Sequence, residues 1–137
     1  MRITKRLITQ MSYDIVKCAI EVHKYLGPGL LESVYEKCLV QELKLQGFDV
    51  KTQVIVPVNY KGMDLNVDLR LDILVNDLIV VELKAIENIL PVHEAQLLTY
   101  MKLLKKPQGL LINFYTDKIT KTMKPFVNEF FKDLPDN

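Results

Sequence analysis

The sequence predicts an α/β fold, a central mixed sheet of about four strands flanked by helices. Three observations lead there. Apolar residues recur at three-four spacing through the first third of the chain; β-branched and aromatic residues take over at Phe48; and a further helical pattern, 91–104, stands between two apolar, strand-like runs.

From Ser12 to Leu26 the apolar positions Ile15, Cys18, Ala19, Val22 and Leu26 describe one face of a helix, and Gly27-Pro28-Gly29 ends it. A second helix is predicted from about Leu30 to Gln46, with Leu31, Val34, Tyr35, Cys38, Leu39 and Leu43 inward and Gly47 as its stop. Val50, Val54-Ile55-Val56, Val58 and Tyr60 read as a strand, and Pro57 marks it as an edge. Lys61-Gly62 turns the chain into a second strand, Leu65 to Val75. Asn76-Asp77 has the chemistry of a tight hairpin into a third, Leu78 to Ala85. Pro91 opens a helix carrying Ala95, Leu97, Leu98, Met101 and Leu104, which stops at Lys105-Lys106-Pro107. Gly109 to Phe114 reads as a buried strand. Lys118 to Phe131 fits either a strand and a helix or an interrupted helix, since Pro125 breaks a continuous one. Without a repeat, low-complexity stretch or linker, residues 1–137 are expected to form one domain.

An apolar fraction of 49% with 26% charged residues excludes a disordered or fibrous chain, and the core needs no covalent staple. Cys18 and Cys38 sit in helical patterns as small buried hydrophobes, which suits a reducing cytoplasm. The basic opening Met1-Arg2-Ile3-Thr4-Lys5-Arg6 meets Gln10, Ser12 and Asp14 before any continuous apolar stretch, so secretion is not expected. No apolar run approaches the roughly 18 residues of a membrane span. Net charge is +1, but residues 26–100 hold eleven acids against six bases while both flanks are basic. An acidic centre suits hard cations and basic flanks suit phosphates, the alternative being ordinary solvated lysines.

Alternation along the second strand puts Asp68, Arg70 and Asp72 on one side and Leu69, Leu71 and Ile73 on the other. On the third, Glu82 and Lys84 share a face of a segment apolar enough to be central, where unpaired carboxylates are unfavourable by several kcal/mol. With Asn76-Asp77 at the tip, Asp72 and Glu82 come nearly opposite, and two facing carboxylates repel unless a cation joins them. Mg²⁺ or Mn²⁺ suits such oxygen donors, and the Lys84 ammonium would orient a water or stabilise charge on a phosphate. The alternative is a metal-free ion-pair cluster of Asp68, Arg70, Asp72, Glu82 and Lys84.

Asp72, nine intervening residues, then Glu82-Leu83-Lys84 resembles the D…ExK signature of the PD-(D/E)XK nuclease superfamily. The element order is similar to that superfamily's restriction-endonuclease-like core. Gln96 to Tyr100 resembles the QxxxY element of its exonuclease branch, and Gly29-Leu30-Leu31-Glu32-Ser33-Val34-Tyr35 resembles the GxxExxY motif of a family of small prokaryotic proteins placed in it. The likeness runs from about Leu26 to Phe114. It implies a metal held by Asp72, Glu82, the Leu83 carbonyl and a helix carboxylate, with Lys84 beside it. Glu32 fits the motif better than Glu36 as that carboxylate; without such a role, Glu32 is a favourable charge near a helix N-terminus and Glu36 a boundary residue. Gln96 and Tyr100 would hold the site or touch the nucleic-acid backbone, or else be a capping amide and a core tyrosine.

Lys102, Lys105 and Lys106, with Lys118, Lys121 and Lys124, would hold phosphates if they face the site and serve solubility if they do not. His93 is expected to cap the helix it opens, and His23 to be a boundary residue; neither suggests zinc. The resemblance implies Mg²⁺- or Mn²⁺-dependent hydrolysis of phosphodiester bonds, in DNA ahead of RNA. The alternative is a catalytically inactive nuclease-fold module within a nucleic-acid-processing assembly. So short a chain would need a second copy, as a homodimer, to span both strands of a duplex.

Overall fold

A computed structural model describes residues 2–137. Helix α1 spans Lys5–Leu26, capped by Thr4, whose Oγ1 accepts the Leu7 N–H at 3.0 Å. It begins seven residues before the predicted Ser12, because Ile8 and Met11 extend the buried stripe into a segment whose basic residues disguise it. Two free N–H groups of its first turn, on Lys5 and Arg6, donate to the carbonyls of Pro135 and Asp136.

Helix α2, Glu32–Leu45, buries Tyr35, Leu39 and Leu43. The inward stripe is narrower than predicted: Leu31 and Val34 are exposed and Cys38 is half-buried. After it come β1 (Val50–Ile55), β2 (Val58–Tyr60), β3 (Met63–Leu65), β4 (Arg70–Val75), β5 (Ile79–Lys84), α3 (Pro91–Leu104), β6 (Gln108–Asn113), α4 (Ile119–Thr122), β7 (Lys124–Val127) and α5 (Glu129–Lys132). The main sheet has five strands in the order β1-β4-β5-β6-β7, and only β5 and β6 run parallel, joined by the α3 crossover. The class is therefore the predicted mixed α/β, with one strand more than expected. The extra strand is β7, where Pro125 is tolerated on an edge.

The predicted first strand breaks at Pro57, and Val58 to Leu65 form a separate two-stranded hairpin, so the second predicted strand starts properly only at Arg70. α1 and α2 cover one face of the sheet through Ile73, Val75, Ile79, Val81, Leu83, Leu110 and Ile112. α3 covers the other through Leu97, Tyr100 and Met101 on Leu74, Val80 and Leu111. Each fully buried aliphatic side chain contributes roughly 1.5–3 kcal/mol. Simple alternation fails at one place that bears on the site. Leu71 packs with the α3 cluster, although Ile73 and Val75 pack under α1 and α2. The β1–β4 ladder pairs Thr52 with Ile73 and Val54 with Leu71 but skips Gln53 and Asp72 between them. Gln53 stands there at φ +50°, so the strand pair turns over at Asp72.

The α3 crossover sets two expected changes in stability. Lys105, exposed after the last turn of α3, is held in the left-handed region at φ 57° and ψ 45°. Lys105→Gly should therefore stabilise the protein by roughly 0.5–1 kcal/mol in a urea titration, the relief of backbone strain exceeding the entropy glycine adds to the unfolded chain. A Cβ at Gly109 would stand 2.7 Å from Met101 Sδ and 2.8 Å from Leu97 Cδ1, since α3 lies directly on β6. Gly109→Ala should cost about 1–3 kcal/mol in the same titration. Among the described residues no helix is long and apolar enough to cross a membrane.

Candidate metal and phosphodiester site

The β4–β5 hairpin turns on Asn76 and Asp77, both at positive φ, with the Leu78 N–H donating to the Val75 carbonyl. Its ladder pairs Val75 with Ile79, Leu74 with Val80 and Ile73 with Val81. One step further the two strands part, and Asp72 and Glu82 stand where the next pair would form. Each carboxylate takes over a backbone amide of the opposite strand. The Asp72 N–H donates to Glu82 Oε1 at 2.9 Å, and the Leu83 N–H donates to Asp72 Oδ2 at 2.9 Å. Side-chain oxygens thus satisfy the amides that the parting ladder abandons, and both carboxylates are pinned by charge-assisted hydrogen bonds. The second oxygens, Asp72 Oδ1 and Glu82 Oε2, accept no hydrogen bond from the described residues and are not sealed from solvent.

Electrostatics separates this arrangement from an ion-pair cluster. Arg70 pairs with Asp68 on the surface at 2.9 Å, and among the described residues no lysine or arginine pairs with Asp72 or Glu82. Glu82 is 6% exposed, and burial, followed by the negative charge of Asp72, pushes its carboxyl up to about 8. The Asp72 amide and Lys84 pull it the other way without cancelling the effect. Glu32 and Glu36 are raised too, each first by burial and then by Asp72. Tyr100 is raised by burial and then by Glu82 and Asp72. Residues from α2, β4, β5 and α3 therefore share one negative field that Lys84 only partly offsets.

The two helix carboxylates differ in their partners. Glu36 Oε1 accepts from Gln53 Nε2 at 2.8 Å, a contact made by the strained residue of β1. Glu32, the half-buried first residue of α2, has no such partner among the described residues. On α3, the exposed Gln96 donates through Nε2 to the hydroxyl of buried Tyr100 at 3.0 Å, so the four-residue spacing does bring them together. His93 caps the helix: its Nδ1 accepts the Leu90 N–H at 2.9 Å, which leaves the ring proton on Nε2 when the ring is neutral. His23 lies at a boundary, its Nε2 2.8 Å from the Thr116 carbonyl.

Among the described residues no basic side chain of α3 or its C-terminal end forms an ion pair with these carboxylates. Lys106 pairs with Asp77 at 3.0 Å, at the hairpin tip. Five residues of extended strand, roughly 16 Å, separate that tip from Glu82. Lys102 and Lys105 make no ion pair among the described residues. Lys121 and Lys124 pair with Asp117 and Glu94.

Two positions carry more of the site than sequence reasoning assigned them. Asn113 is 1% exposed at the end of β6; its Oδ1 accepts from the Ile86 and Tyr115 amides and its Nδ2 donates to the Ile86 carbonyl. It locks the turn that follows Lys84, and the available signal was one amide closing an otherwise apolar run. Gln53, exposed and in the left-handed region, had no signal beyond being polar in a strand.

Oxygen donors carrying uncompensated negative charge, two of them with a free oxygen, suit a hard divalent cation in kind. No group of three or more His, Cys, Asp or Glu side chains among the described residues is already gathered closely enough to hold one. The family model described as the PD-(D/E)XK nuclease superfamily matches residues 9–126, from α1 into β7. No curated protein and no solved structure matches the chain. With most of its length and all of the residues above inside that match, the chain belongs to the PD-(D/E)XK nuclease superfamily.

Proposed function

We infer that residues 1–137 are one nuclease-like domain of the GxxExxY type that hydrolyses phosphodiester bonds with Mg²⁺ or Mn²⁺, in DNA ahead of RNA. The observation that carries this reading is the reciprocal bonding of Asp72 and Glu82 to each other's strand where β4 and β5 part, with one oxygen of each left free. Asp72, Glu82 and Glu32 would hold the cation, helped by the Leu83 carbonyl; Glu36, engaged by Gln53, serves the shape of β1 instead. The bound ion would supply Lewis acidity toward the phosphate and a water acidified for attack. Lys84 holds that water or the charge that develops on the phosphate, and Tyr100, oriented by Gln96, meets the phosphate backbone.

The purified protein should degrade single- or double-stranded DNA or RNA in Mn²⁺ or Mg²⁺ and stop when EDTA is added. No cleavage of any of these, in either ion, would overturn the assignment. A second reading, an inactive nuclease-fold module in a larger assembly, is favoured by one observation: the acids are not gathered into a cage. Calorimetric titration separates the two, because the module predicts no Mn²⁺ binding that depends on Asp72.

A further inference from the structure

We propose that Tyr35 is the positioning residue that sets where Glu32 stands relative to the end of β5, an inference that rests on the nuclease reading. α1 ends at Leu26 and α2 begins at Glu32, so five residues connect them, and Leu31 at the start of α2 supplies no side-chain cap. The missing restraint comes from inside the helix. Tyr35 is fully buried, and its hydroxyl donates to the Gly27 carbonyl at 2.5 Å while accepting the Leu30 N–H at 3.1 Å. One oxygen thereby closes the connection across its length and holds the chain immediately ahead of Glu32.

The ring of Tyr35 makes the second link. It stacks on Phe114 with centroids 4.4 Å apart and planes 13° from parallel. The Phe114 N–H in turn donates to the Lys84 carbonyl at 2.8 Å. Phe114 directly follows Asn113, which fastens the turn after Lys84. Tyr35 therefore joins the start of α2 to the strand end that carries Glu82 and Lys84, with its hydroxyl bonded to backbone and not to Glu32 or Glu82. A core tyrosine serving only stability would need one partner for its hydroxyl; this one spans two points of the connection that sets Glu32.

Tyr35→Phe keeps the ring, the stacking and the volume and removes both hydroxyl bonds. Mn²⁺ affinity by calorimetry should fall about tenfold, the size typical of losing a residue that orients a ligand. In Glu32→Gln protein the same change should cause little further loss, because the contact it controls is already gone. Melting in EDTA, measured alongside, verifies that all three variants are folded. Unchanged affinity in Tyr35→Phe, or losses that simply multiply in the double variant, would overturn the proposal while leaving the nuclease reading standing. If the wild-type protein binds no Mn²⁺, the nuclease reading falls and this inference with it.

Discussion

Asp72→Asn should lower the initial rate of nucleic-acid cleavage in Mn²⁺ by about a thousandfold or more while leaving the fold intact. The asparagine carbonyl oxygen still accepts the Leu83 N–H, so β4 and β5 part as before. Only the negative charge and the free anionic oxygen disappear. Lys84→Ala should produce a loss of similar order by a different route. Its half-buried side chain stands at the end of β5, and its charge is the favourable one felt by both Glu82 and Glu32. The two variants separate in metal binding: calorimetry should show Mn²⁺ affinity lost in Asp72→Asn and largely kept in Lys84→Ala. Rates within tenfold of wild type for both would show that cleavage, if present, occurs elsewhere.

Register made the centre of this site readable from sequence. The Asn76-Asp77 turn fixes the pairing of its strands, so Asp72 and Glu82 meet wherever that turn forms. Gln96 and Tyr100 were legible for the same kind of reason, helical spacing. What sequence did not reveal depends on departures from regular structure. The left-handed Gln53 and the turnover of β1–β4 moved Leu71 to the opposite face from Ile73, against strict alternation. That Gln53 meets Glu36 was not legible either, because the contact spans 17 residues of chain. The direction in which Lys102, Lys105 and Lys106 point was not legible because charge content gives no direction along a helix; of the three, Lys106 is tied to the hairpin tip through Asp77. Early termination of the first strand and the separate β2–β3 hairpin come from Pro57, which ends the strand rather than merely marking an edge.

The carboxylate required by the proposed chemistry is also a burden on the metal-free fold, and Glu82→Gln should expose this. In the folded chain the Glu82 carboxyl is pushed up to about 8 by burial and by Asp72, against 4.5 for the free group. The folded state therefore binds this proton more tightly than the unfolded state, and between those values it holds more protons. The slope of stability with pH is then negative, so in EDTA the wild-type protein should lose stability as pH rises from 5 to 8 and change little from this source above it. Each pKa unit corresponds to about 1.4 kcal/mol, which makes the total loss on the order of a few kcal/mol. Glutamine keeps an oxygen to accept the Asp72 N–H but cannot ionise. At pH 8 in EDTA, Glu82→Gln should therefore melt higher than wild type by roughly 10 °C, and the gap should close toward pH 5. Adding Mn²⁺ should reverse the order, since the cation stabilises only the protein that binds it. A wild-type melting temperature flat between pH 5 and 8 in EDTA would contradict the strained carboxylate pair. A variant that melts higher and yet still cleaves would remove Glu82 from the chemistry.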